Sequence, residues 1–251
     1  MSRTEKLHRF LAPPGGRPGD TVRLGSDQSR HMAVVLRLET GDRVRVFTGE
    51  GEEFLAVIEA ADPKGARVRL LESADGGAAR RLVLGFALPP RGRAGMLVEK
   101  TTELGASTLQ PLVSERVQGY QERKARSQLD RWRRKARDAA RQSERSTVPE
   151  VREPLTVERF FEECGGSVRL MACAGATRPV WSVLEEVEDW SGGVALAVGP
   201  AGGFTRRERV LGEQAGFTPV SLGPNILRVE TAAIGMVAAV VLRMEVCANS
   251  E

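Results

Sequence analysis

Val198-Gly199-Pro200-Ala201-Gly202-Gly203-Phe204 and, further along, Ser221-Leu222-Gly223-Pro224-Asn225-Ile226-Leu227-Arg228-Val229-Glu230-Thr231 carry the clearest architectural signal in this chain. Each is a glycine-bearing turn that follows an apolar run and leads into a helical pattern. In an α/β protein such turns join strand ends to helix starts, which is where a small ligand sits.

Upstream of both turns, Leu82–Leu88 is a continuous apolar run of the kind found in buried parallel strands. Further strands are expected at Thr108–Val113, Val168–Cys173, Val194–Val198 and Thr218–Leu222. Between them lie helical patterns at Ala94–Leu104, Gln121–Gln142, Thr205–Ala215 and Glu230–Val246. The third opens with Thr205 and Glu208 in capping-box spacing. The last is apolar nearly all round, so it needs partners on more than one side, such as a sheet and a second subunit. Alternating strands and helices imply an open, largely parallel α/β sheet.

Residues 1–72 have a different texture. Short alternating or β-branched segments at Thr21–Leu24, Arg43–Phe47, Glu53–Ala60 and Ala66–Leu71 are separated by glycine- and proline-bearing turns, which predicts a small barrel. A short helix is expected at Asp27–Leu36. The stretch Ser73–Arg81 reads as a linker, giving one domain over 1–76 and a second over 77–251.

The chain has 251 residues, of which 41% are apolar and 28% charged, so a packed core is expected rather than disorder. The net charge is only +4, but the segment from Arg116 to Arg145 carries eleven Lys or Arg against four Asp or Glu. The positive charge is therefore concentrated, which fits a surface that faces a polyanion. Three cysteines without CxxC spacing point to a reducing compartment. No apolar segment follows Met-Ser-Arg-Thr-Glu-Lys as in a signal peptide, and the longest apolar stretch, Thr231–Leu242, is short for a bilayer. A cytoplasmic protein without membrane partners is expected.

The first glycine turn lacks the Gly-Lys-Ser/Thr of a phosphate-binding P-loop and the GxGxxG of a Rossmann dinucleotide site. What it offers is bare backbone that can approach a ligand closely. At the second turn, Arg228 and Glu230 flank the mouth of the last helix. An acid there suits the helix dipole, whereas an arginine has no such structural reason. The two histidines, His8 and His31, lie far in sequence from both turns, so a histidine base is not expected in the second domain, nor a zinc site anywhere in the chain. Arg131, Arg134, Lys135 and Arg141 recur near helical spacing with Trp132 among them. The cations could neutralise phosphates, and the tryptophan could stack on a base or simply pack. Cys173 has no adjacent cation to activate a thiolate and reads as a core residue.

At these residues the chain resembles the RsmE-type ribosomal RNA uracil-N3 methyltransferases of the SPOUT superfamily. The resemblance rests on Gly199-Pro200-x-Gly202-Gly203-Phe204 and on Leu222-Gly223-Pro224-x-Ile226-Leu227-Arg228-x-Glu230-Thr231. It extends through Glu99–Ala106, Pro111–Arg116, Arg137–Pro149, His8-Arg9-Phe10 and His31–Asp42. It implies a PUA-like N-terminal barrel and a C-terminal parallel sheet with a trefoil knot. It also implies S-adenosylmethionine as methyl donor, a homodimer, and small-subunit ribosomal RNA or the assembled small subunit as partner. Under it, Arg228 and Glu230 are the expected catalytic residues. Gly199, Pro200, Gly202, Gly203, Leu222, Gly223, Ile226, Leu227 and Thr231 are expected to hold the donor, and Arg9, Arg37, Arg116, Arg134 and Arg145 to contact RNA. The chain departs from the family pattern at Ala201, usually Glu, at Asn225, usually basic, at Arg141, where Glu is common, and at Glu144, where Gly is common. A non-catalytic RNA-binding relative and a methyltransferase for another RNA site are the alternative readings.

Overall fold

The computed structural model describes residues 7–49, 51–74, 81–115 and 120–248. They divide into two units, one within Met1–Ala79 together with Ala140–Val148, the other within Arg80–Ala139 together with Pro149–Glu251.

In the first unit, β1 (Arg9–Leu11), β2 (Thr21–Arg23), β3 (Arg43–Phe47), β4 (Glu53–Ala60) and β5 (Arg67–Ala74) form one sheet in the order β1-β3-β4-β5-β2. The pairing of β1 with β3 is parallel and the rest antiparallel. Alternation along β3 sends Val44 and Val46 inward and Arg43 and Arg45 outward. Register shifts in the β4–β5 pair, between Leu55 and Ala56 and between Ile58 and Ala60, bend and twist the sheet. It curls around Phe10, Met32, Val44, Val46, Phe54, Ile58, Val68 and Leu70. The expected helix is divided: α1 (Ser26–Arg30) runs into a wider π-type turn at His31–Val35, closed by the Leu36 N–H to the His31 carbonyl at 2.9 Å.

In the second unit, seven strands make the other sheet: β6 (Leu82–Ala87), β7 (Thr108–Val113), β8 (Glu150–Val151), β9 (Leu155–Thr156), β10 (Val168–Ala172), β11 (Val194–Val198) and β12 (Thr218–Val220). The order is β12-β10-β11-β6-β7-β8, with β9 also on β7, and every pairing is parallel. The strands β6, β7 and β11 are buried throughout. Both faces are therefore covered, which is why these segments show no polar alternation.

One face packs on α2 (Ala94–Glu103), α3 (Tyr120–Gln142), α5 (Val180–Glu185) and α7 (Val229–Ala248). There Leu84, Phe86, Leu196 and Val198 meet Leu97, Leu129, Val237 and Val240. The other face packs on α4 (Val157–Glu163) and α6 (Arg206–Gln214) through Phe160, Phe161, Phe204 and Phe217. The helix α3 buries Ala125, Leu129, Trp132 and Ala136, a spacing that sets one apolar stripe against the sheet. Trp132 lies edge-on to Phe86 with ring centroids 6.4 Å apart. Its place in the apolar stripe settles its role as packing, not base stacking. Among the described residues, no helix is long and apolar enough to cross a membrane.

Candidate functional site

The register of the sheet places the site. Ala172, the last residue of β10, is opposite Val198 of β11 on one side and Val220 of β12 on the other. Three parallel strands thus end at one level, and the loops that leave them face one another.

The loop after β11 begins with Gly199. A Cβ there would stand 3.1 Å from both the ring and the backbone nitrogen of Phe204, closer than ordinary carbon contacts. The chain then turns tightly, with the Gly203 N–H donating to the Pro200 carbonyl at 2.7 Å. Thr205 caps α6: its Oγ1 accepts the Glu208 N–H at 3.1 Å, and Glu208 Oε2 accepts the Thr205 N–H at 2.7 Å. The expected capping box is present and fixes where the loop must end.

The loop after β12 is pinned at Ser221, whose carbonyl accepts the Val180 N–H at 2.9 Å and whose Oγ accepts the Gly223 N–H at 3.2 Å. Gly223 has φ +116°, a conformation that strains any residue with a side chain. The chain next passes through Ile226 and Leu227 and enters α7 at Val229.

Between the two loops is a cleft at the carboxyl ends of the strands, where open α/β sheets bind small ligands. Gly199, Pro200, Gly203, Leu222, Gly223, Ile226 and Leu227 all line it. Gly202 and Thr231, expected beside them, are not among its lining residues, and Thr231 is exposed on the first turn of α7. Sequence reasoning missed Ala172, Cys173 and Ala174, which line the cleft from the end of β10. Burial pushes the Cys173 thiol above its ordinary pKa, so it remains protonated at neutral pH and serves as wall, not nucleophile.

The cleft suits a ligand that is part apolar and part polar. Its walls carry Leu222, Ile226, Leu227 and exposed backbone, and open space lies where Cβ atoms at Gly203 and Gly223 would be. Ile226 is 87% exposed in the chain alone, an apolar surface available to whatever occupies the cleft or covers it.

Glu230 does not pair with Arg228. Its carboxylate is 2% exposed and Oε1 accepts a hydrogen bond from Arg93 Nη1 at 2.6 Å. Arg93 lies just ahead of α2, 137 positions away in sequence, a partnership that no local spacing could have disclosed. Arg228 is exposed, and together with Pro90, Arg93, Ala201 and Val229 it lines a second cleft. Ala201 and Val229 are shared between the two clefts, so the second opens beside the first.

The expected RNA contacts have mixed placements. Arg9 is 8% exposed and committed to Glu53 through Nε–Oε1 at 3.1 Å and Nη2–Oε2 at 2.6 Å, with its guanidinium 4.9 Å from the centre of the Phe47 ring. It is a structural cation of the first unit, buried because its fork matches a buried carboxylate. Arg37 is exposed, with φ +54°. Arg134 is exposed on α3, whereas its neighbour Lys135 is tied to Glu99. Arg145 is half-buried, donates from Nη2 to Thr147 Oγ1 at 3.0 Å, and has its pKa pushed down to about 10 by burial. Arg141 meets His31 Nε2 at 2.9 Å. Arg116 lies outside the described residues. No group of three or more metal-ligating side chains occurs among the described residues.

Comparison with known proteins agrees with this geometry. Residues 78–241 match the RNA methyltransferase domain family, and residues 24–71 match the RNA methyltransferase PUA domain. The ribosomal RNA small subunit methyltransferase E of Synechocystis sp. is 33% identical over 90% of this chain and 74% of its own length. A methyltransferase from Legionella pneumophila, solved with bound SAM, is 31% identical with a TM-score of 0.79, covering 94% of this chain and 97% of that one. A ribosomal RNA small subunit methyltransferase E from Neisseria gonorrhoeae, solved with S-adenosyl methionine, is 28% identical with a TM-score of 0.80, covering 93% and 96%. By its sequence, its two kinds of sheet and the loops that end three parallel strands, the chain belongs to the ribosomal RNA small subunit methyltransferase E family.

Proposed function

We propose that this protein transfers a methyl group from S-adenosylmethionine to N3 of a uridine in small-subunit ribosomal RNA. The observation that carries the reading is the cleft at the carboxyl ends of β10, β11 and β12, with a cation-lined second cleft opening beside it. Relatives of the same fold have been solved with the donor bound. Backbone groups of Gly199, Pro200 and Gly203 and the apolar side chains of Leu222, Ile226 and Leu227 would hold the donor. When bound, it supplies an already activated methyl group, which leaves orientation as the protein's main task.

Uridine N3 carries a proton that must leave as the new bond forms, and the base becomes more negative as it does. The Arg228 guanidinium stabilises that charge. Glu230 acts one step back, fixing Arg93 at the same cleft. Exposed arginines on α3, Arg131 and Arg134, and Arg37 in the first unit, would contact RNA phosphates.

The chain is proposed to act as a homodimer in the cytoplasm. The exposed apolar residues Ile226, Leu242 and Val246 favour a second copy over solvent. The trefoil knot is proposed on the family resemblance.

The test is Arg228→Ala, assayed for methylation of small-subunit RNA and for donor binding by calorimetry. Methylation falls on the order of 100-fold or more with donor affinity preserved. Undiminished methylation removes Arg228 from the chemistry.

A further inference from the structure

We propose that Arg93 is a second catalytic cation, and that the cleft of Pro90, Arg93, Ala201, Arg228 and Val229 is the seat of the target base. The inference rests on the uridine-N3 reading above and adds a residue and a division of labour to it.

The ion pair itself is the first observation. Glu230 is buried, and among the described residues only Oε1 is engaged; Oε2 is buried with no hydrogen-bond partner there. A buried acceptor left unpaired is destabilising, so this carboxylate costs stability where it holds Arg93. Glu230 holds one nitrogen of a guanidinium that is itself 36% exposed and lines the cleft. A half-satisfied acid under a half-exposed cation is a mount for that cation.

The second observation is what the cleft offers. Pro90, Ala201 and Val229 are apolar and can lie against the faces of a flat ring, and among the described residues the charged groups in the lining are the two guanidiniums. The shared residues Ala201 and Val229 place this seat next to the donor cleft.

The chemistry calls for two cations. N3 of uracil lies between two carbonyls, and once its proton is lost the charge spreads to both oxygens. In the transfer, the N3 proton leaves to water, the N3 electron pair forms the new bond to carbon, and the bond between that carbon and the donor sulfur breaks, releasing a neutral thioether. Arg228 at one carbonyl and Arg93 at the other stabilise the charge on both sides of N3. Arg93 is the better fixed of the two, since Glu230 holds it.

The experiment compares the full-length wild type with Arg93→Gln, Arg93→Lys and Glu230→Gln. It measures kcat and KM for small-subunit RNA against pH, donor binding by calorimetry, and thermal midpoint. For Arg93→Gln, kcat falls on the order of 100-fold. The rise of rate with pH moves to higher pH, because the bound imide is harder to deprotonate. Donor affinity stays near wild type; melting falls, because the buried Glu230 carboxylate loses its counter-charge, whereas Arg93→Lys keeps that charge and melts near wild type. Arg93→Lys recovers part of kcat, since it keeps the charge and loses the fork. Glu230→Gln lies between, with Arg93 present but loosely held. Unchanged kcat and pH profile in Arg93→Gln overturn the proposal. So does a loss of donor binding or of melting temperature that accounts for the lost activity in both Arg93 variants, because the pair is then structural. A wild type that methylates another atom overturns the underlying reading, and this inference with it, and is recognised before any variant is compared.

Discussion

Gly199→Ala is the most informative single-atom change. The added Cβ would stand 3.1 Å from Phe204 Cδ2, 3.1 Å from Phe204 N and 3.2 Å from Phe204 Cε2. Optimal carbon contacts are about 3.5–4.0 Å, so Phe204 must retreat by a few tenths of an ångström at three atoms. It has little room to do so. Its ring is 5.9 Å from that of Phe161 in the core, and its backbone leads directly into the Thr205–Glu208 capping box. Overpacking of this kind costs about 1–3 kcal/mol, which lowers the melting temperature by roughly 2–4 °C per kcal/mol in a unit of this size. Because the strain falls on the loop that lines the cleft, about 1.4 kcal/mol of it appearing in the bound state weakens donor affinity tenfold. Calorimetric titration with S-adenosylmethionine reads that loss. Gly95→Ala is the control: it lies within α2, where a Cβ would meet only Lys135 side-chain carbons at 3.4 and 3.5 Å. It is expected to gain up to about 1 kcal/mol in stability with donor binding unchanged. Unaltered donor affinity in Gly199→Ala would refute the placement of the donor against this loop.

Three further outcomes follow from the same geometry. Glu53→Ala strands the buried Arg9 guanidinium without its counter-charge and should destabilise by about 3–5 kcal/mol; a change below about 1 kcal/mol in denaturant unfolding would contradict a structural role for Arg9. Hydrogen bonds from Lys135 and then Lys100 hold the Glu99 carboxyl below its ordinary 4.5, so the stability it contributes is present above that value and is lost as pH falls through the lowered one. Melting followed from about pH 5 to pH 3 should therefore fall less steeply in Glu99→Gln, and an identical slope would exclude the contribution. Arg131→Ala and Arg134→Ala should each weaken RNA binding across sequences and reduce its salt dependence by about one unit of slope; an unchanged slope would place RNA elsewhere.

Much of the second unit was legible because burial on two faces leaves a plain mark. Leu82–Ala87, Thr108–Val113 and Val194–Val198 carry almost no polar residue and are strands at the expected places. The Thr205–Glu208 box announced α6 because capping is local. The elements that escaped are short. Arg9–Leu11 has three residues, β8 and β9 two each, and α4 only Val157–Glu163, so periodicity had nothing to act on. At the site, the loops were legible and the ion pair was not. Glycine and proline declare a turn through backbone geometry, whereas the Arg93–Glu230 contact exists only because α2 and α7 pack on one face of the sheet. Trp132 and Arg9 carried the look of RNA-binding residues, and only their burial shows that packing and charge pairing claim them first.

The most direct measurement is the crystal structure of this protein with S-adenosylmethionine. The account predicts the donor between Gly199–Gly203 and Leu222–Leu227, with its methyl group directed past Ala201 and Val229 toward Arg93 and Arg228. A donor bound outside that cleft, or one whose methyl points away from the two guanidiniums, would contradict it.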